Sequence, residues 1–318
     1  MNIEKKALKR GNEYWDMKFF RNARTAFLNL LYAYRQEGDF TLFLPMYIGI
    51  SPNEGSGIYD PVCKLAIPHV FYRFREQLEV DVDCLEKQLQ DVSGRKVFLL
   101  VHYFGYVDPA YQDIIRLLRK YETFIVEDCA HALYTHLIDG SCGEGDCTFY
   151  SFHKMLPFDE GGSIATTGVE SSWWKRICAE NTESDYYKYN LKQIADIRKR
   201  NAARWEMLLE GDERFCILRP AFLYQNQTPQ SVPVLLNGFD RYQVYLELNR
   251  RGYGVISLYH TMIEPIQKIR EKNSMRISSM ILNFPCHQDI GERDIDEMYY
   301  ELINVLQDKR LKIDNMES

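Results

Sequence analysis

The stretch FIVEDCAHALYTHLIDGSCGEGDCTFYSFHKMLPFDEGGSIATTG, residues 124–168, decides the fold. It opens on an apolar run, Phe124 to Val126, that delivers two acids, Glu127 and Asp128. A Gly-rich polar segment follows. A second apolar run, Thr148 to Phe152, delivers Ser151, His153 and Lys154 just ahead of the pair Gly161-Gly162. Upstream, LLVHYFGYVDP (99–109) begins as an apolar strand, and Ile114, Ile115, Leu117 and Leu118 are spaced as the apolar positions of a helix. The order strand, helix, strand predicts a βαβ unit with parallel strands.

Working outward, residues 20–35 place Ala26, Phe27, Leu30, Leu31 and Tyr34 on one helical face. TLFLPMYIG (41–49) reads as a buried strand stopped by Gly49, and SPNEGSGIYDP (51–61) is rich in turn formers. VFYRFR (70–75) alternates as a half-buried strand, 81–91 is a short helix, and KVFLLVHYF (96–104) suits a central strand buried on both faces. After 168 the pattern changes to charged helical sequence up to 210. Short strand-like runs follow in 211–237, then a helix at 238–251, a strand at 253–260 and a last helix at 292–308. The expected architecture is α/β. A large domain (1–168) has a mostly parallel sheet between helices, a helical segment (169–210) connects, and a smaller α+β domain (211–318) ends the chain.

Composition narrows the classes. The 318 residues are 46% hydrophobic and 26% charged, which is ordinary for a globular protein with a large core. The net charge of -6 speaks against a nucleic-acid surface, and the basic run RKRNAAR (198–204) lies in helical sequence as a solvated face. No apolar run approaches the ~20 residues needed to span a bilayer. The N-terminus, MNIEKKALKRGNEYW, has no apolar core of a secretory signal, so a cytoplasmic location is the expectation. Eight scattered cysteines then read as free thiols. Cys142 and Cys147 resemble half a metal site, but no second pair has matching spacing, so no metal is expected.

A carboxylate at one strand end and a lysine at another suit pyridoxal 5'-phosphate. The lysine forms the Schiff base, and the aspartate keeps a proton on the pyridine nitrogen so that the ring accepts electrons. The motifs EDCAHA (127–132), G-x-G-D (143–146), S-F-H-K (151–154) and E-G-G (160–162) together resemble the DegT/DnrJ/EryC1/StrS family of sugar aminotransferases. Strand 99–101 running into His102 and Gly105 is similar to that family's H-x-x-G segment. Residues 252–260 and 280–298 are similar to its later strand and its final P-x-H segment.

The resemblance implies a fold-type-I pyridoxal phosphate enzyme. It would pass an amino group from an amino acid such as glutamate to a nucleotide-linked keto sugar, and act as a homodimer. Lys154 is then the Schiff-base lysine and Asp128 the partner of the pyridine nitrogen. Glu127, next on the strand, points the other way. His131 falls near the cofactor's phenolic oxygen. Ser151, Arg24 and Thr25 are phosphate ligands, and Tyr47 is the ring that stacks on the pyridine. His153 is the rival of Lys154, because one branch of the family carries histidine there and dehydrates instead. Lys154 keeps the spacing of seven residues to Gly161, and His153 does not.

Three departures accompany the match. Ser151 precedes Lys154 by three residues where many members have five. Asn22-Ala23-Arg24-Thr25 lacks the glycine of the usual phosphate turn. The stretch 168–200 is short, with Tyr189 and Asn190 as its remnant of a loop that reaches the partner's site. A sugar dehydratase and a non-catalytic protein that kept the fold are the alternative readings.

Overall fold

The computed structural model describes residues 16–50, 57–180, 185–220, 224 and 226–313. The charged N-terminal stretch and most of the turn-rich segment (51–56) lie outside them. The main sheet has seven strands: β1 (Asp16–Phe20), β2 (Thr41–Pro45), β3 (His69–Tyr72), β4 (Lys96–Val101), β5 (Phe124–Asp128), β6 (Cys147–Ser151) and β7 (Gly162–Thr166). Their spatial order is β1-β7-β6-β5-β4-β2-β3. The run from β3 to β6 is parallel throughout. β7 turns back antiparallel to β6, and β1 closes that edge antiparallel to β7.

The parallel strands are short apolar runs covered on both faces, as their sequences require. In β4 and β5, Val97 to Leu100, Ile125 and Val126 are almost completely buried. The expected βαβ unit is present: α4 (Tyr111–Lys120) connects β4 to β5 and buries Ile114, Ile115 and Leu118. Helix α1 (Ala23–Arg35) buries Ala26, Phe27, Leu30 and Leu31, and α3 (Val82–Asp91) is capped by the Asp81 side chain. Short helices α2 (Tyr59–Leu65) and α5 (Leu133–Leu137) complete this layer.

Beyond α6 (Ser172–Arg176), the 19-residue α7 (Leu191–Leu209) leads to a three-stranded antiparallel sheet ordered β10-β9-β8, formed by β8 (Phe215–Ile217), β9 (Ser231–Leu236) and β10 (Ile281–Pro285). Helices α8 (Arg241–Arg250), α9 (Glu264–Ile269), α10 (Lys272–Met280) and α11 (Glu292–Leu306) lie around it. Two hydrophobic cores result. The second gathers Trp205, Val234, Leu248, Phe284 and Leu302, all C-terminal to residue 201. The first also takes in Tyr259, Met262, Ile266, Ile277 and Ile281, so 259–281 packs back onto the large sheet.

Several strand expectations change: the strands expected over 70–75 and 96–104 end at Tyr72 and Val101. The strand from Thr41 ends at Pro45, before Gly49. The expected strand at 253–260 is a single bridge, Ile256 to Asn283. There the Asn283 side chain accepts the Leu258 N–H at 2.9 Å in place of a ladder partner, and the chain turns at Tyr259, whose φ is +63°. Among the described residues, no helix is long and apolar enough to cross a membrane.

Candidate active site

In a parallel sheet the carboxyl ends of the strands form the natural crevice. Here they open into a cavity of about 400 Å³ lined by Asp128, His131, Ser151, His153 and Lys154, with the start of α1 and Tyr259 among its walls. The size suits a small organic cofactor or substrate.

The floor begins at the end of β5. Glu127 and Asp128 point to opposite faces, as strand alternation dictates. Glu127, fully buried, accepts from Tyr111 Oη (3.0 Å), Gly145 N (2.6 Å) and Gly143 N (3.0 Å), and its Oε2 lies 2.7 Å from His102 Nε2. These four contacts explain both the G-x-G spacing and the histidine of H-x-x-G. Burial alone raises a carboxyl group. Here the His102 contact and the two glycine amides outweigh burial and hold Glu127 below the usual range. His102 is held up at about 10: burial pulls it down, but Cys142 and Glu127 beside it prevail. Cys129 and Cys142 complete this buried cluster, their sulfurs 3.9 Å apart. The carboxylate at its centre is already saturated with N–H and O–H donors, so the cluster is closed by its own hydrogen bonds.

The glycine of H-x-x-G has a separate task. Gly105 has φ +93°, and a Cβ there would sit 2.5 Å from the Thr228 carbonyl oxygen and 2.7 Å from Gln230 N. Only a bare backbone lets this turn approach residues 228–230, where Gln230 N donates to the Phe104 carbonyl at 2.7 Å.

Asp128 faces the cavity and accepts from Ala130 N at 2.8 Å. Burial raises its pKa, against the pull of that amide and of Lys154 and His102. Lys154 closes the short 3-10 turn Phe152–Lys154 that follows β6. Its Nζ lies 3.1 Å from His131 Nε2. Burial lowers its pKa, Asp128 opposes the shift and Arg24 adds to it. An amine shifted toward its neutral form beside a buried carboxylate is equipped to act as a nucleophile and as a proton carrier.

At the mouth, Asn22 caps α1, its Oδ1 accepting Thr25 N at 2.9 Å. Gly162, at the start of β7, presses against Asn22 and Ala23, where a Cβ would collide with their backbone. The glycine pair therefore brings the helix N-terminus, with its orphan amides, up to the lysine turn. Arg24 lines the cavity and pairs with Asp60 at 3.2 Å, and Arg21 pairs with Glu160 at 2.6 Å.

The structure thus brings Lys154, Asp128, His131, Ser151 and Arg24 to one cavity. Thr25 and Tyr47 are not among its lining residues. The Thr25 hydroxyl donates to its own cap, Asn22, at 3.1 Å. Tyr47 is fully buried behind the site, donating to the Leu258 carbonyl at 2.9 Å. The tyrosine that does reach the cavity is Tyr259, parallel to His131 within 10° at 6.4 Å. Ser151 Oγ lies 3.2 Å from His153 Nδ1, which ties that serine to the histidine beside it. Asn190 caps α7 through Gln193 N, and Tyr189 packs edge-on against Phe158. Sequence reasoning missed Tyr259, because its segment read as a strand. It gave His102 no role, although a histidine three residues before a glycine at a strand end was a usable signal.

Comparison with known proteins agrees with this architecture. Residues 68–177 match the model of the DegT/DnrJ/EryC1/StrS aminotransferase family. An uncharacterized protein of Methanocaldococcus jannaschii, MJ1066, is 29% identical over 145 residues, which are 38% of this chain and 36% of that protein. The chain therefore matches about a third of the length of that curated relative. Among solved structures, Helicobacter pylori PseC, an aminotransferase involved in the biosynthesis of pseudoaminic acid, superposes with a TM-score of 0.72 at 14% identity, over 92% of this chain and 86% of that one. A DegT DnrJ EryC1 StrS aminotransferase from Brucella abortus gives 0.72 at 17% identity, over 92% and 86%. NtdA from Bacillus subtilis, solved with bound cofactor PMP, gives 0.68 at 16% identity, over 91% and 73%. The chain thus matches the family's model over residues 68–177 and shares along nine-tenths of its length the fold of solved aminotransferases.

Proposed function

We propose that this chain is a pyridoxal phosphate-dependent aminotransferase that moves an amino group from an amino acid such as glutamate to a keto sugar carried on a nucleotide. The observation that carries the reading is the placement of Lys154 and Asp128, from different strand ends, in one cavity of about 400 Å³. The residues fit the cofactor. Asp128 is a buried carboxylate raised by burial, a cost that a protonated ring nitrogen would offset. The wall opposite is a helix N-terminus flanked by Arg21 and Arg24, suited to a phosphate.

When bound, pyridoxal phosphate supplies the electron sink for the carbon that bears the amino group. Lys154 would hold the cofactor through Nζ and, once released, carry the proton away from and back to the reacting centre. Asp128 would hold the proton at the ring nitrogen. The start of α1, with Arg24 and Ser151, would hold the phosphate. The sugar and donor follow from the family resemblance alone, as does a homodimeric state.

The test is capture. Purified chain is mixed with pyridoxal phosphate, its visible absorbance is followed, and borohydride is added. A shifted absorbance band and a reduced adduct mapped to Lys154 are expected. An adduct on another lysine, or none, overturns the assignment. Amino-donor exchange followed by nucleotide-linked keto sugars or simple keto acids then separates a sugar substrate from an amino-acid one.

A further inference from the structure

Phe104 is a bulky residue in the left-handed region, at φ +59° and ψ +12°, fully buried in the turn Tyr103–Gly105. Such a conformation is an outlier for a residue with a large side chain, and it marks a site where the surroundings dictate the backbone. What it aims is a single main-chain N–H, which points at His131 Nδ1 across 3.3 Å. The other ring nitrogen, Nε2, lies 3.1 Å from Lys154 Nζ. The imidazole is clamped between the Phe104 ring, 24° from parallel, and the Tyr259 ring, 10° from parallel, each with its centroid 6.4 Å away.

A backbone N–H can only donate, so the nitrogen it meets must present a lone pair. A neutral imidazole carries one proton on one nitrogen. The proton must then sit on Nε2. We propose that Phe104 is a positioning residue: its left-handed backbone fixes His131 as the Nε2–H tautomer, a standing proton donor toward Lys154.

Two consequences follow. His131 is excluded from acting as a base, because its only lone pair is spent on Phe104. The Nε2–H faces Lys154, so it favours the amine with its lone pair free and opposes the ammonium. The charged and titratable groups nearby are consistent with a neutral ring. Burial and the Lys154 charge both disfavour an imidazolium. Asp128 and Arg24 act on Lys154 with opposite sign, and two phenols adjoin the clamp, Tyr259 against His131 and Tyr103 against Phe104. The tautomer does not depend on the pyridoxal reading, whereas its value to the reaction rests on it.

The experiment is run on the full chain without added cofactor, so that its failure is separable from failure of the cofactor assignment. The seven histidines are labelled with nitrogen-15, and His131 is assigned by the signals lost in His131→Gln. Two-bond proton–nitrogen correlations are expected to show Nδ1 unprotonated and Nε2 protonated, unchanged from pH 5.5 to 8. The opposite tautomer, a mixture, or an imidazolium pattern in that range overturns the proposal. Phe104→Gly keeps the N–H and tolerates positive φ, so it should keep the tautomer. Phe104→Ala removes the same ring but penalises that φ, so it should yield a mixture. Equal behaviour of the two variants, both keeping or both losing the tautomer, removes backbone control and overturns the role of Phe104. Lys154→Met should leave the tautomer unchanged, and a switch there would transfer control to the lysine.

Discussion

Beneath Asp128, Glu127 takes four hydrogen bonds where water does not reach. At the mouth, Arg21 and Glu160 face each other with 71% and 54% of their side chains exposed. The floor draws its partners from 102–145, at strand ends and glycine turns whose geometry the sheet imposes. The mouth is assembled from the start of α1, the glycine pair at 161–162 and Tyr259, and its charges are solvated. A buried charge that loses a partner is left uncompensated, whereas an exposed pair is replaced by water. The floor is therefore where the molecule is rigid, and the mouth is where it has freedom to differ.

The comparison is sharpest at Glu127. Glu127→Gln turns an acceptor-only group into one that must point an NH₂ at donors, and it should cost about 3–5 kcal/mol. A urea midpoint close to the parent's would show that the floor is not under that constraint. Gly105→Ala comes next. Its Cβ would meet backbone rather than a flexible side chain, so a loss of about 1–3 kcal/mol is expected in the same measurement. Retention of full stability would mean that residues 228–230 yield freely.

Acid should also distinguish the two regions. Burial lowers His131 and brings His136 down to about 4, so both must stay neutral in the folded chain. Their contribution is present above the unfolded value near 6.5 and is lost as pH falls toward the folded value. His102, raised to about 10, has the opposite sign, and its contribution is already complete below about 6.5. Between pH 6.5 and 5 the folded chain should therefore lose about 3 kcal/mol. A flat urea midpoint across that window would contradict the neutral assignments. The smallest effect on folding belongs to the mouth. Arg21→Ala should leave the urea midpoint unchanged while weakening binding of pyridoxal phosphate. A destabilised variant would make the rim structural after all.

The same contrast governs what could be read in advance. The parallel unit from 96 to 128, the lysine turn and the glycine pair were legible because apolar runs, strand ends and glycines have few structural solutions. Helix α1 was legible from its apolar face. Tyr47 and Thr25 were expected at the cavity, but their hydroxyls are taken by Leu258 and Asn22, partners that no local pattern reveals. Residues 253–260 read as a strand, similar to a later strand of the resembled family. The decision there was made by the side chain of Asn283, some twenty-five residues later. The first and last strands of the chain's two sheets, and the short helices at 264–280, likewise depend on distant partners.

The edge strand Asp16–Phe20 carries a consequence for the order of events during synthesis. Lys18 Nζ donates to the carbonyls of Trp174 and Ile177, 156 and 159 residues further along, and the strand itself pairs with Gly162–Thr166. Pairings of such separation carry a large closure entropy and form slowly. A ribosome must therefore release residue 177 before the strand leading into Arg21 and Asn22 is seated, although every partner of Glu127 has emerged by residue 145. Nascent chains would therefore complete the hydrogen bonds around Glu127 well before the anion-facing start of α1 is seated by the pairing of β1 with β7.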